Sequence, residues 1–148
     1  MKTKLLFAIA SAVLLAACSK NPSIETPESE TADYTGTVSV EYEGEIFDNE
    51  DIKVHYVLSD DGKAAEILIY RIKFVPKMPV RVDVTIPDIQ VVRDGGRTLL
   101  YCDDLNPLAL GGEYPKYRVH NFEGEDSDHG LQFSLLFGEY PTWFSGSR

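Results

Sequence analysis

The stretch Val80–Ile86, with the sequence Val-Arg-Val-Asp-Val-Thr-Ile, has the clearest alternation of apolar and polar side chains in this chain. Every second residue is a branched aliphatic residue, and the residues between them are polar or charged. Successive side chains of a β-strand point to opposite faces of the sheet. The pattern therefore predicts a strand with one buried face and one face in water.

The same period of two recurs before this stretch, from Tyr34 onward. Each predicted strand has one apolar set of side chains and one polar set, as expected for antiparallel strands with a wet face. Arg71 and Lys73 lie opposite the last apolar set, and we interpret them as a solvated strand face. The predicted apolar sets are Val38, Val40 and Tyr42, then Ile52, Val54 and Tyr56, then Leu68, Tyr70, Ile72 and Phe74.

Turn-forming residues separate the predicted strands. Ser59–Lys63, with the sequence Ser-Asp-Asp-Gly-Lys, predicts the turn of an antiparallel hairpin. No stretch of ten residues after the first eighteen has a clear helical period, so we expect only a short helical turn near Leu105–Leu110. Several short strands separated by Gly, Pro and Asp predict an all-β antiparallel barrel or sandwich. The further strands are predicted at Thr98–Tyr101, Tyr117–Phe122, Leu131–Phe137 and Thr142–Ser145.

The first eighteen residues have the pattern of an export signal. Lys2 and Lys4 are followed by Leu5–Ala17, which contains no charged residue. This run is shorter than the roughly 20 residues that a membrane-spanning helix needs. Leu15–Cys18, with the sequence Leu-Ala-Ala-Cys, resembles the lipobox of bacterial lipoproteins, and this resemblance implies that Cys18 carries the lipid and becomes the first residue after cleavage.

We therefore expect three segments in the chain. Residues 1–17 form a lipoprotein signal peptide, and residues 18–33 form the lipidated cysteine and a disordered tether that is rich in acids and proline. Residues 34–148 form one β domain. The expected location is the outer membrane, on its periplasmic or cell-surface face.

Charge and cysteine count exclude several classes of protein. The formal net charge is −10 at pH 7, so the phosphates of nucleic acids and anionic lipid surfaces repel the chain, and neither is an expected partner. With Cys18 committed to lipid, Cys102 has no internal partner, which excludes a disulfide framework and a cysteine zinc site. We predict that Cys102 is a buried small apolar residue, with a reactive or intermolecular thiol as the alternative.

The predicted domain resembles the calycin-like β-barrel domain of lipoproteins from Bacteroides and related gut bacteria. The resemblance rests on Tyr34–Val40, Phe74–Val80, Val84–Ile89 and Phe144–Gly146. It implies a small, closed or nearly closed antiparallel barrel on a lipid anchor, and it implies no particular reaction. Lipocalins have Gly-x-Trp in their first strand, but the single tryptophan here is Trp143, so a lipocalin-type apolar ligand is not implied. An immunoglobulin-like β-sandwich is the alternative fold.

The densest group of potential metal ligands is the stretch Glu123–Gly130, which contains four acids and one histidine in eight residues. Calcium prefers several oxygen ligands. However, a calcium loop that began at Asp126 would require a bidentate acid at position 137, where Phe137 stands. We interpret the stretch as a solvated hairpin loop and expect no metal and no cofactor.

The three histidines, His55, His120 and His129, lie in no sequence motif of a nucleophilic or metal-dependent hydrolase. We therefore name no catalytic residue and expect no enzymatic activity. Aromatic residues concentrate in the last third of the chain, and most of them are expected in the core. Tyr140 and Trp143 lie in a less regular stretch, and we predict that they are surface anchors of a binding site.

These observations predict a membrane-anchored lipoprotein with a non-enzymatic β-barrel domain for binding or interaction. The expected partner is a small apolar ligand or an envelope or host protein. An envelope scaffold without a small ligand is one alternative, and a hydrolytic enzyme is another.

Overall fold

The computed structural model describes residues 30–148, so the predicted signal peptide, Cys18 and most of the predicted tether lie outside the described residues. Within this range one turn of 3₁₀-helix is found, at Pro115–Tyr117. No helix in residues 30–148 is long and apolar enough to cross a membrane. The strands are β1 (Glu30–Tyr42), β2 (Glu45–Leu58), β3 (Ala64–Ile72), β4 (Val82–Asp94), β5 (Arg97–Leu105), β6 (Leu108–Ala109), β7 (Gly112–Glu113), β8 (Val119–Ser127), β9 (Gly130–Phe137) and β10 (Tyr140–Ser147).

Eight of these strands close into an antiparallel barrel. Around the barrel the order is β1, β2, β3, β4, β5, β8, β9 and β10, and β10 pairs with β1 to complete the ring. The short hairpin of β6 and β7 lies beside β4, where Leu108 pairs with Thr85. The predicted all-β antiparallel barrel is confirmed, and the chain does not adopt the alternative sandwich.

The first strand begins earlier than the predicted domain. Residues 30–33, which the sequence analysis assigned to the tether, belong to β1 and pair with residues 55–58 of β2. Backbone pairing does not require apolar side chains, so the acidic composition of this segment did not indicate it. Ala32 packs against the core, and the Asp33 Oδ1 atom lies 2.7 Å from the His55 Nδ1 atom.

The predicted helical turn near Leu105–Leu110 is wrong. Leu108 and Ala109 form β6, and the chain reverses through Leu110 and Gly111 into β7. Both turn residues have positive φ, 54° at Leu110 and 89° at Gly111. Such left-handed conformations form a tight hairpin turn and are incompatible with a right-handed helix.

The predicted inward face of β3 is also wrong in part. Ile67 and Ile69 are fully buried, whereas Leu68 and Tyr70 are only half-buried on the outside. A β-bulge lies between Ile69 and Ile72, where Arg71 has a φ of 58°. The extra residue moves the inward set by one position, so Ile72 and Phe74 point inward as predicted while the two residues before the bulge do not. At the next strand, Val80 precedes β4 and is 59% exposed.

Aromatic side chains make up much of the barrel core. Phe133 of β9 stacks on Phe122 of β8 and on Phe144 of β10, with ring centroids 5.1 Å apart in both pairs. At one end of the barrel, Phe74 stacks on Tyr117 at 3.9 Å and meets the edge of Phe137 at 4.8 Å. The aromatic core predicted from the last third of the chain is therefore largely confirmed.

Candidate functional site

The interior of the barrel is occupied by the chain's own side chains. Tyr34, Phe74, Phe122, Phe137 and Phe144 are each less than 2% exposed, and branched aliphatic residues fill the space between them. Eight strands enclose a space that is just wide enough for such side chains. The exposed side chains that could contact another molecule therefore lie on the outer surface of the barrel.

Tyr140, one of the two predicted anchors, belongs to the aromatic cap at one end of the barrel. Its ring lies 5.6 Å from that of Tyr42 and 6.2 Å from that of Tyr117. Tyr140 is half-buried, and its contacts are those of a packing residue. The structure does not place it with Trp143 on a common surface.

Trp143, the other predicted anchor, lies on the outer wall of the barrel and is 41% exposed. It belongs to β10, where its neighbours Thr142 and Phe144 are buried. The strand alternation that turns these two neighbours inward turns Trp143 outward. A regular strand therefore holds a large aromatic ring in contact with solvent.

The side chains beside Trp143 are small and polar. Ser134 of β9 is directly opposite on one side, and Ser39 of β1 is opposite on the other. The tryptophan therefore borders a shallow concavity of about 550 Å³ on the outside of β5, β8, β9 and β10. We call this surface the Trp143 wall; the outward side chains that line the concavity are Leu99, Glu123, Glu125, Gln132, Ser134, Trp143 and Ser145.

A second exposed aromatic residue lies in the same row as Trp143. Tyr101 of β5 pairs with Glu123 of β8, which pairs with Ser134, which in turn pairs with Trp143. Because neighbouring strands are about 4.8 Å apart, Tyr101 and Trp143 stand about 14 Å from each other across this row. Tyr101 is 41% exposed. Tyr101 was not predicted from the sequence, since only the pairing of strands distant in sequence brings it into line with Trp143.

The Trp143 wall carries carboxylates in excess over cations. Glu125 has an ion pair with Arg97 at 3.5 Å, and Arg97 also contacts Asp94 at 3.2 Å. Among residues 30–148, Glu123 makes no ion pair. The centre of the row between the two aromatic residues is therefore negative.

Trp143 also lacks a cation over its ring within the described part of the chain. Two tyrosine rings of the domain do have a cation over them: the Lys77 Nζ atom lies 5.9 Å from the ring centroid of Tyr42, and the Lys116 Nζ atom lies 5.5 Å from that of Tyr117. Tryptophan has the most favourable ring for such an interaction. A cation from outside the domain would find an open ring and an unpaired carboxylate on the same wall.

The acidic stretch Glu123–Gly130 is not a loop as predicted. Glu123 to Ser127 continue β8, and Asp128 and His129 alone form the connection to β9. Strand alternation separates the acids: Glu123 and Glu125 point outward, whereas the Asp126 side chain is 14% exposed and accepts a hydrogen bond from the Tyr34 hydroxyl at 2.5 Å. Among residues 30–148, no three histidine, cysteine, aspartate or glutamate side chains are grouped to hold a metal ion.

The remaining chemically active side chains are dispersed. His55 contacts Asp33, and His120 lies 3.2 Å from Asp104, which also accepts a hydrogen bond from Arg118. That hydrogen bond lowers the pKa of Asp104. Cys102 is buried, and burial raises its thiol pKa to about 11, so the thiol stays protonated at neutral pH, as expected for a small apolar core residue.

The structure also brings together four cations, of which only Arg71 was interpreted from the sequence, as part of a solvated strand face. Lys53, Arg71, Arg81 and Arg148 line one groove on the outside of β1, β2 and β3. No spacing along the chain indicates this grouping, because the four residues come from different elements. The groove and the Trp143 wall have no lining residue in common.

Comparisons of the chain with protein-family models, with curated proteins and with solved structures give no match. The candidate sites therefore rest on the geometry and chemistry described above.

Proposed function

We propose that this chain is a membrane-anchored bacterial lipoprotein whose non-enzymatic β-barrel domain binds a basic segment of a partner protein on the Trp143 wall. The observation that carries the proposal is the exposed indole of Trp143. Among residues 30–148, no cation lies over this ring, and Glu123 on the same wall has no ion pair. The closed barrel is compatible with a calycin-like lipoprotein, and membership of that group is part of the proposal.

The filled interior favours a partner on the outside over a small apolar ligand inside. A lipocalin-type ligand requires a cavity in the barrel, and here Phe122, Phe133 and Phe144 stack across that space. Exposed aromatic residues in a polar setting are typical anchors of protein interfaces. The negative charge of the wall favours a partner that presents arginine or lysine.

The anchor is tested at its cysteine. In the native host, Cys18→Ala is expected to abolish incorporation of labelled palmitate and to leave unprocessed precursor, because the thiol is the proposed site of lipid attachment. Cys102→Ala, which removes the other cysteine of the chain, is the matched control and keeps the label. Wild-type labelling of Cys18→Ala would contradict the lipoprotein assignment. Protease treatment of intact cells then distinguishes the periplasmic from the cell-surface face.

The Trp143 wall is tested by titrating the purified full chain with a hexa-arginine peptide. Since Trp143 is the single tryptophan of the chain, its fluorescence reports directly on this site. We expect saturable binding that weakens with added salt, because the attraction is partly electrostatic. Measured by anisotropy of a labelled peptide, Trp143→Ala is expected to weaken binding about tenfold, from the roughly 1 to 2 kcal/mol of a cation–π contact.

Charge-matched variants distinguish a defined site from diffuse attraction. Glu123→Gln removes one negative charge from the wall, and Glu66→Gln removes one from the outside of β3. Only the first is expected to weaken the binding of hexa-arginine, and hexa-glutamate is expected not to bind. Equal effects of the two variants, or an unchanged affinity in Trp143→Ala, would show that the wall is not the binding site.

A further inference from the structure

Strands β2 and β3 separate along part of their length. Their backbone ladder runs from Leu58 opposite Ala65 to Val54 opposite Ile69. Beyond Val54, a side chain connects the two elements: Asn49 of β2 accepts a hydrogen bond from the Lys73 amide at 2.9 Å and donates one to the Lys73 carbonyl at 3.1 Å. Asn49 is 1% exposed, so the separation is a fixed part of the fold.

The separation opens a groove of about 810 Å³ on the outside of the barrel. Tyr70 contributes its aromatic surface, and the bulges at Asp51 and Arg71 border it. Of the fourteen lysine and arginine residues in the chain, four line this one groove. The chain as a whole is acidic, with a net charge of −10. Only its tertiary structure brings these four cations together.

Three of these four cations form no ion pair within residues 30–148. Arg81 donates hydrogen bonds to the Asn49 Oδ1 atom and to the Arg71 carbonyl, both at 3.2 Å, and both acceptors are uncharged. Within residues 30–148, Lys53 and Arg71 form no ion pair with a carboxylate. The fourth cation, Arg148, lies 3.8 Å from Asp126.

The groove also contains carboxylates, and their positions restrict which chemical groups a ligand can present there. Asp33 contacts His55, which leaves Glu50 and Asp51 at the bulge of β2 as acceptors for hydroxyl or amino groups. The fixed guanidinium of Arg81, with Arg71 beside it, presents several N–H donors to an oxyanion. The ring of Tyr70 offers a surface for a flat apolar group.

We propose that the groove where β2 and β3 separate, lined by Lys53, Arg71 and Arg81, binds a small organic oxyanion with an aromatic or other flat apolar part. The oxyanion contacts the arginines, and the flat part lies on Tyr70. This site is separate from the Trp143 wall, so the two can be tested independently.

Isothermal titration of the purified full chain with benzoate, phenyl phosphate and inorganic phosphate tests the proposal. We expect one-to-one binding that is tighter for phenyl phosphate than for inorganic phosphate. Saturation by phenyl phosphate alone would assign a phosphoryl group to the natural ligand, and saturation by benzoate would assign a carboxylate. No saturable binding of any of the three at millimolar concentration would overturn the proposal.

Variants locate the binding. Arg71 and Lys53 both lie on the surface of the groove, and the double variant Arg71→Gln, Lys53→Gln is expected to weaken the binding of phenyl phosphate at least tenfold. Tyr70→Leu is expected to make phenyl phosphate bind no more tightly than inorganic phosphate. Lys63→Gln removes one positive charge from the loop after β2 and is the matched control, with unchanged affinity. Thermal melting of each variant verifies the fold. Equal weakening in Lys63→Gln and in the groove variants would show non-specific attraction and would also overturn the proposal.

Discussion

Tyr34 connects the first and last parts of the barrel through its hydroxyl group. The hydroxyl donates to Asp126 at 2.5 Å and accepts a hydrogen bond from Arg148 at 3.1 Å, across 92 and 114 residues of sequence. Burial, together with the hydrogen bond to Asp126, raises the pKa of Tyr34 to about 12. Burial also raises the pKa of Tyr56 to about 12, with a further contribution from the charge of Asp126.

These two tyrosines predict a loss of stability at alkaline pH. Below pH 10.0, the ordinary pKa of tyrosine, both are protonated in the folded and the unfolded chain, and their contribution is fully present. Between pH 10 and 12 the unfolded chain releases protons that the folded chain retains, so the free energy of unfolding falls as pH rises, by at most about 1.4 kcal/mol per pH unit for each tyrosine.

Urea unfolding of the full chain at pH 8 to 11 measures this effect. Tyr34→Phe is expected to reduce the alkaline slope and to cost about 1 to 3 kcal/mol at pH 8, because Asp126 loses its shortest hydrogen bond. Tyr101→Phe, at an exposed position, is the control. A slope that is the same in wild type and Tyr34→Phe would contradict the assignment to Tyr34.

At the scale of strands, β-bulges determine which side chains point inward. Each of the four bulges in the barrel contains a non-glycine residue with positive φ: Asp51, Arg71, Asp88 and Asn121. Aspartate and asparagine tolerate the left-handed conformation better than most residues. The bulge at Arg71 interrupts the alternation of β3, and together with the one at Asp51 it borders the groove in which the cations meet.

The hairpin of β6 and β7 contains a residue that is poorly suited to its position. Leu110 is 72% exposed and has a φ of 54° at the first position of a two-residue turn. Asparagine followed by glycine is strongly preferred in such turns. Leu110→Asn is therefore expected to raise the free energy of unfolding by about 1 kcal/mol, measured by urea unfolding. Leu110→Val is expected to lower it, and a change in the same direction for both variants would contradict the role of the left-handed conformation.

At the scale of the molecule, the barrel closes where β10 pairs with β1. Gly36 of β1 is directly opposite Gly146 of β10. A Cβ atom on Gly36 would lie 2.0 Å from the carbonyl oxygen of Ser145. The two strands approach each other so closely at this point that the closure requires glycine.

Gly36→Ala is therefore expected to destabilise the barrel by about 3 kcal/mol or more, because the backbone of β10 would have to move. Gly96→Ala is the matched control, since no atom lies within 4 Å of its Cβ position and its φ is not positive. Thermal unfolding followed by circular dichroism measures both variants. Similar melting temperatures of the two would contradict the close approach at the seam.

Local patterns along the chain were sufficient to predict much of the fold. Alternation around Val82–Ile86 indicated an antiparallel strand, and turn residues such as Ser59–Lys63 indicated its connections. The exposure of Trp143 was also predicted, because it lies in a stretch with a less regular pattern than the strands before it. These features depend on residues that are close in sequence, where the period of two and the chemistry of turns apply directly.

Tertiary structure alone decided the closure of the ring, the inward face of β3 and the grouping of side chains on the outer wall. A bulge adds one residue without a clear sequence signal and reverses the side-chain pattern beyond it, as at Arg71. Tyr101 and Trp143 share a row, and Arg71 and Arg81 share a groove with Arg148, because strands distant in sequence are neighbours in the barrel. A periodic pattern records which face a residue occupies, whereas only the register between strands determines which residues meet on that face.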